Sequence, residues 1–120
     1  MQKKTIVIGA SPNPERFSNK AVRLLNINGH PVIAQGIREG KIGDIEIIKG
    51  KPPVEDIHTV TMYVGPARQA EYYEYIFSLN PKRIIFNPGT ENEEFRTMAE
   101  EKGIETVENC TLVMLNTGIF

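Results

Sequence analysis

Short runs of β-branched residues alternate with helix-spaced apolar stripes along this chain. Thr5-Ile6-Val7-Ile8 is a compact apolar run closed by Gly9, the pattern of a buried strand. Residues 11–16 hold two prolines and an asparagine and form a loop. A helix is predicted from Ser18, whose hydroxyl can accept from a free amide of the first turn, with Phe17 packing on Val22 as a hydrophobic staple. Ala21, Leu24 and Leu25 share its buried face and Gly29 ends it. Pro31-Val32-Ile33-Ala34 reads as a second strand. Thr59-Val60-Thr61-Met62-Tyr63-Val64 is the strongest strand of all, followed by Gly65 and by Pro66 at a first helical position. Ala70, Tyr73, Ile76 and Phe77 trace the next helical stripe, and Arg83-Ile84-Ile85-Phe86 the next strand. After the turn Asn87-Pro88-Gly89, Thr90 and Glu93 have capping-box spacing, Phe95, Met98 and Ala99 form a buried face, and Gly103 stops the helix. Glu105-Thr106-Val107 is the last strand predicted. Residues 110–115 are apolar but too short to divide strand from helical turn, and residues 36–58, with four glycines and the run Ile45-Glu46-Ile47-Ile48, have no clear assignment.

This order predicts a single α/β domain over residues 1–120, built on a five-stranded parallel, doubly wound sheet. Helices between strands impose right-handed crossovers, and strands apolar at every position suit a sheet covered on both faces. Ligands of such sheets bind beyond the carboxyl ends of the strands where the strand order reverses, here beside the first strand.

Composition narrows the partners. The 14 basic and 15 acidic side chains among 120 residues give a net charge of −1 without a basic tract, which argues against nucleic acid or an anionic membrane and leaves room for a small anionic ligand. Cys110 is the only cysteine, so the chain forms no internal disulfide and no thiolate zinc site, and His30 and His58 are too few for a histidine cage. Behind Met1-Gln2-Lys3-Lys4 only three apolar residues precede Gly9, too few for a secretory core or a membrane span. A cytoplasmic protein is expected.

The candidate chemistry lies in the first loop, Gly9-Ala10-Ser11-Pro12-Asn13-Pro14. Gly9 permits close approach to the backbone, Ser11 offers a hydroxyl, and the following helix end, flanked by Arg16 and Lys20, favours an anion. Two readings stand: a diphosphate cradle, or a polar loop with an ordinary cap. Dinucleotide enzymes place an acid at the end of the second strand to hold the ribose hydroxyls. Here Arg38 and Lys41 follow Gln35-Gly36-Ile37, which suits a phosphorylated ribose, or else a solvated basic face. His30 and His58 fall at the other end of the sheet and read as structural. Cys110 reads as a small apolar filler able to reach the pocket, and Glu91, Glu93 and Glu94 as helix-start acids. Tyr72, Tyr73, Tyr75, Ile76 and Phe77 are apolar around more than one helical face, from core packing or from a homodimer surface.

Gly9-Ala10-Ser11-x-Asn13-Pro14-x-Arg16-x-Ser18 resembles the opening motif of the small single-domain CoA-binding proteins, which are similar to the N-terminal domain of the succinyl-CoA synthetase α subunit. The likeness continues through Gly29-x-x-Val32, Ile42-Gly43, Asn87-Pro88-Gly89 with Asn92 and Glu93, Gly103 and Cys110, over nearly the whole chain. It implies a five-stranded Rossmann-like sheet binding coenzyme A or an acyl-CoA, without catalysis. The diphosphate would sit on the first loop, with Ser11, Arg16 and Ser18 carried over for it, and the adenosine near the end of the second strand. The 3′-phosphate of CoA agrees with Arg38 and Lys41. Ala34-Gln35-Gly36-Ile37 replaces the family's Pro-Val-Asn-Pro type of segment, and Val64-Gly65-Pro66 its Phe-Arg pair. An NADP- or nucleotide-dependent enzyme using the same loop, and an interaction protein with a vestigial pocket, are the alternatives.

Overall fold

The computed structural model describes residues 2–120; Met1, the first residue of the basic start, lies outside them. Strands β1 (Thr5–Ile8), β2 (Val32–Gly36), β3 (Lys41–Ile42), β4 (Ile45–Lys49), β5 (Thr59–Met62), β6 (Arg83–Phe86) and β7 (Glu105–Glu108) form one sheet in the order β3-β4-β2-β1-β5-β6-β7. Six strands are parallel and β3 alone runs antiparallel, against β4. Helices α1 (Phe17–Ile27), α2 (Pro66–Gln69), α3 (Tyr73–Ser78), α4 (Glu93–Glu101) and α5 (Thr111–Asn116) complete the fold, with a 3₁₀ turn at Ala70–Tyr72 between α2 and α3.

The sheet has seven strands, where the sequence pattern indicates five. The additional pair, β3 and β4, comes from the unassigned segment around residues 45–48. Exposed Gly43 and Gly50 flank β4 and make the stretch look like a loop, and within β3 and β4 only Ile42 and Ile47 are buried.

All four residues of β1, β5 and β6 are buried, the polar Thr5, Thr59, Thr61 and Arg83 included. One face carries Ile6, Ile8, Val60, Met62, Ile84 and Phe86 against Ile76 of α3 and Phe95 and Ala99 of α4. The other packs Val7, Ala34 and Ile47 against Val22 and Leu25 of α1 and Leu115 of α5. Chain order reverses at β1: the strands after it lie on one side as far as β4, and β5 to β7 on the other. The carboxyl ends of β1 and β5 therefore flank the switch point of the fold.

Local boundaries differ from the sequence reading in four places. Helix α1 starts at Phe17 on an extended Arg16; Ser18 is buried in its first turn and does not cap it, and Phe17 is 66% exposed and staples nothing. Helix α4 is capped by Asn92, whose Oδ1 accepts from the Phe95 amide at 3.0 Å; Thr90 donates instead to the Asn87 carbonyl, so its hydroxyl is already used within the preceding turn. The helical stretch after Pro66 is broken because Gln69 and Tyr72, three residues apart, both turn inward, a spacing that a 3₁₀ turn eclipses on one face. Residues 111–116 are helical, with α5 pinned where the Thr111 amide donates to Asn87 Oδ1 and the Thr111 and Thr61 hydroxyls pair, both at 2.8 Å. The tyrosine-rich stripe is spent largely on the core: Tyr72 and Ile76 are buried, and Tyr73, Tyr75 and Phe77 pack on that cluster.

At the amino end of the sheet, buried Arg83 donates through Nε to Thr59 Oγ1 at 2.8 Å and lies 4.3 Å from the centre of the Phe120 ring. His30 lies tilted against the same ring, with centroids 4.9 Å apart, and accepts the Lys3 amide on Nδ1 at 3.0 Å. Burial, then the Lys3 and Arg83 charges, hold the His30 imidazole below its ordinary pKa. His58, bonded to Thr59 Oγ1 at 2.8 Å, is lowered by burial and by Arg83, Lys3 and Lys82. The fold thus prefers both rings neutral, and the unfolded chain takes up protons first as pH falls. Their contribution is complete above the unfolded value of about 6.5 and is lost as pH falls through it towards the lower folded values. The melting temperature should accordingly drop between pH 7.5 and 5.5. The drop should be smaller in His30→Gln, whose carbonyl can accept the Lys3 amide at any pH; an equal drop in both proteins would remove His30 from the account.

Candidate functional site

The turn leaving β1 is built by the end of β2. Gln35 takes the Gly9 amide at 2.9 Å and the Ala10 amide at 2.7 Å on its backbone carbonyl, and its side-chain Oε1 lies 3.2 Å from the Gly9 amide. Gln35 Nε2 donates to the Gly50 carbonyl at 2.8 Å, so this fully buried amide joins three stretches of chain. Gly9 has φ +98 and a Cβ there would lie 2.9 Å from Val64 Cγ2, so the position needs glycine for both conformation and space. At Gly36 a Cβ would collide with the Ala10 carbonyl oxygen and lie 3.0 Å from Ile47 Cγ2. The Gln35-Gly36 pair is therefore what lets β2 and the first loop touch.

Beyond this turn the loop is held by its own polar side chains. Ser11 Oγ accepts the Asn13 amide at 3.1 Å, Asn13 Oδ1 accepts the Glu15 amide at 3.0 Å, and buried Asn19 donates through Nδ2 to the Ser11 carbonyl at 2.9 Å. The first helical bond of α1 runs from the Lys20 amide to the Arg16 carbonyl. The amides of Phe17, Ser18 and Asn19 have no acceptor among the described residues, as the geometry of a helix start requires, and no acid stands in the first turn to neutralise its dipole.

The start of α1, through Phe17 and Ser18, borders a cleft of about 650 Å³ at the carboxyl ends of β1 and β5. Gly9, Ala10, Ser11, Asn13, Arg16 and Ser18 line it from the first loop, and Arg38 lines it from the segment after β2. Pro14 and Lys41, also expected at the site, are outside the lining; Lys41 lies on β3, opposite Glu46. Gly9 and Ala10 shape the turn, but with their amides committed to Gln35 they present no free donor. The open donors are the Ser11 amide and, further along, those at the start of α1.

The far wall comes from the loop after β5 (Tyr63, Val64 and Gly65), from Arg68 of α2 and from Tyr72 of the 3₁₀ turn. Arg16, Arg38 and Arg68 thus face a cleft whose lining includes one carboxylate, Glu15. Fields of three guanidiniums add, so the cleft favours a polyanion. The Tyr63 hydroxyl is buried without a hydrogen bond, and burial, then Cys110, pushes its pKa well up, with Thr111 opposing in part while bonded to Thr61. Cys110 is half-buried just before α5 and outside the lining. A larger hollow of about 710 Å³ lies at the opposite end of the sheet, between Lys4, Lys51, Val54 and Tyr75, away from the switch point.

The pattern of the CoA binding domain matches residues 3–116. The chain belongs to the CoA binding domain family. It is similar to a crystallised uncharacterized protein at 46% identity and a TM-score of 0.97, over 100% of this chain and 99% of that one. It is also similar to a hypothetical protein from Pyrococcus horikoshii OT3, at 25% identity and a TM-score of 0.85 over 98% of this chain and 84% of that one. A protein from Thermus thermophilus shares the fold at 19% identity and a TM-score of 0.86, over 99% and 91% of the two chains. No curated protein matches.

Two residues at or behind this CoA binding domain's cleft lie outside the sequence expectation, Arg68 in its lining and Gln69 buried next to it in sequence. Arg68 follows the Gly65-Pro66 break and was hidden by its place in an apparently ordinary helix. Gln69, fully buried, donates through Nε2 to the Val64 and Thr90 carbonyls at 2.8 and 2.7 Å and accepts from Asn92 Nδ2 at 3.0 Å, locking the β5 and β6 loops together. A glutamine in a predicted helix gives no signal, because its partners are the carbonyls of two other loops. Gly36→Ala should lower stability by about 1–3 kcal/mol through forced overpacking. An unchanged urea midpoint would mean that β2 and the first loop separate freely.

Proposed function

We propose that this CoA binding domain binds coenzyme A or an acyl-CoA in the switch-point cleft, without turnover. The observation that carries the reading is the set of open amides at Phe17, Ser18 and Asn19 beside Arg16, at a helix start with no acid of its own. A diphosphate needs several N–H donors and positive charge at one place, and a helix start supplies both. The Ser11 and Ser18 hydroxyls add neutral donors, and Arg38 and Arg68 extend the positive rim. The donor set therefore fits a nucleotide diphosphate, held by α1 rather than by the glycine turn. Arg38 is the residue assigned to the 3′-phosphate.

Gln35 bears on the choice of nucleotide. It stands where a dinucleotide enzyme keeps its ribose-binding acid, but both ends of its side chain are committed within the protein. No carboxylate follows until Glu39, which pairs with Lys49 at 3.4 Å. A free ribose diol finds no acceptor from β2, and a phosphorylated ribose finds Arg38. For the absence of turnover, the support is the lining itself: Glu15 lies on the exposed rim and the Tyr63 phenol is buried and hard to ionise.

CoA should raise the melting temperature, with a stabilisation of about 2.7 kcal/mol at 100 times Kd. Arg16→Ala should reduce the shift at fixed ligand concentration, and dephospho-CoA should bind more weakly than CoA by an amount that Arg38→Ala abolishes. A protein shifted by NADPH but not by millimolar CoA would overturn the assignment.

A further inference from the structure

We infer that Arg83, with Lys3 and His30, forms a second binding site, for a small carboxylate or oxyanion, at the amino end of the sheet and away from the switch-point cleft. Arg83 opens β6 and is only 6% exposed. Its guanidinium has one acceptor among the described residues, Thr59 Oγ1, which takes Nε. Neither Nη1 nor Nη2 bonds to any of the described residues, and Nη2 is buried. A buried guanidinium is costly unless opposite charge and hydrogen bonds compensate it. The ion pair among the described residues joins Glu39 to Lys49 and leaves Arg83 without a counter-ion.

The surroundings carry the same sign. Lys3 Nζ and Arg83 Cζ lie 5.9 and 4.3 Å from the centre of the Phe120 ring, and the centre of the His30 imidazole lies 4.9 Å from it. Lys82 precedes Arg83, and His58 shares the Thr59 hydroxyl with it. Against these basic side chains stands one carboxylate, Glu105, the register partner of Arg83 on β7, which is exposed and beyond ion-pair distance. The Lys3 amide fixes His30 Nδ1 as an acceptor, so the neutral ring carries its hydrogen on Nε2. Lys3 Nζ donates to the Phe120 carbonyl and has two further hydrogens. The edge thus offers a guanidinium fork, an imidazole N–H and an ammonium. Such a fork matches the paired oxygens of a carboxylate or an oxyanion, which a halide lacks. Lys3, His30 and Phe120 are each half-buried, which leaves the edge open to a solute of that size. Bound there, an anion would favour protonation of both imidazoles, opposing the burial and then the neighbouring cations that hold them low.

The chain has only two histidines, so their imidazole proton resonances report on this edge alone. In the wild-type protein both titration midpoints should rise by about half a pH unit when sodium chloride is replaced by sodium acetate or sodium sulfate. Equal ionic strength keeps screening constant, and an anion at the start of α1 lies at the other end of the sheet. A response to acetate alone would assign the site to carboxylates, and a response to sulfate alone to oxyanions. Arg83→Met should abolish the rise. Should that variant fail to fold, Lys3→Met, at the half-buried rim, should reduce it by at least half. Midpoints equal in all three salts would overturn the site, as would a rise that survives both substitutions. A rise found only in Glu105→Gln would overturn it too, because Glu105 would then fill the fork in the native protein.

Discussion

The contact between the end of β2 and the turn leaving β1 governs the rest of the site. One residue, Gln35, accepts the Gly9 and Ala10 amides and holds the Gly50 carbonyl, while the missing Cβ of Gly36 lets the two stretches meet. Buried backbone groups must be paired, and a turn at the carboxyl edge of a parallel sheet leaves amides that the ladder no longer serves. Gln35 resolves this without water. The cost is that these amides are lost to any ligand.

That commitment moves the anion-binding character of the cleft downstream. The ladder satisfies β1, Gln35 satisfies the Gly9 and Ala10 amides, and side chains satisfy Asn13 and Glu15, so the donors left open along this stretch are the Ser11 amide and those at the start of α1. An acid in that first turn would stabilise the helix and quench the site together, and none is there. Arg16, Arg38 and Arg68 reinforce the same sign of charge from three elements. Each is exposed, so each alone contributes modestly through solvent, and their convergence gives the cleft its preference.

Most of this architecture was legible from residue pattern because buried parallel strands write themselves as unbroken β-branched runs. β1, β5 and β6 and the faces of α1 and α4 follow directly from Ile6-Val7-Ile8, Val60 to Met62, Ile84 to Phe86, Leu25 and Phe95. The β3–β4 hairpin was illegible for the opposite reason. It carries two core side chains, Ile42 and Ile47, among glycines and charges, and periodicity needs more than that to register. Caps were misplaced where two candidates compete: Thr90 and Asn92 both have the chemistry, and only the prior use of Thr90 by Asn87 decides between them. The first loop was recognisable as a site from its motif, but which of its amides remain free depends on Gln35, some 26 residues away, and no local pattern encodes such a contact.

The hairpin then acquires a role beyond widening the sheet. Between β2 and β3 the chain is fixed at both ends against the first loop, at Gly36 by Ala10 and at Gly40 by Pro12, to which a Cβ would come within 2.8 Å. The Gly40 carbonyl also accepts the Ile47 amide at 2.9 Å, tying this bridge to β4. Three residues span the gap, Ile37, Arg38 and Glu39, too short a stretch to fold back into the core. Ile37 and Arg38 consequently stay exposed at the cleft, one apolar and one cationic, beside an α1 start that repeats the pairing with Phe17 and Arg16. The same close packing that closes the glycine turn to ligands thus holds a second apolar–cationic pair against the first.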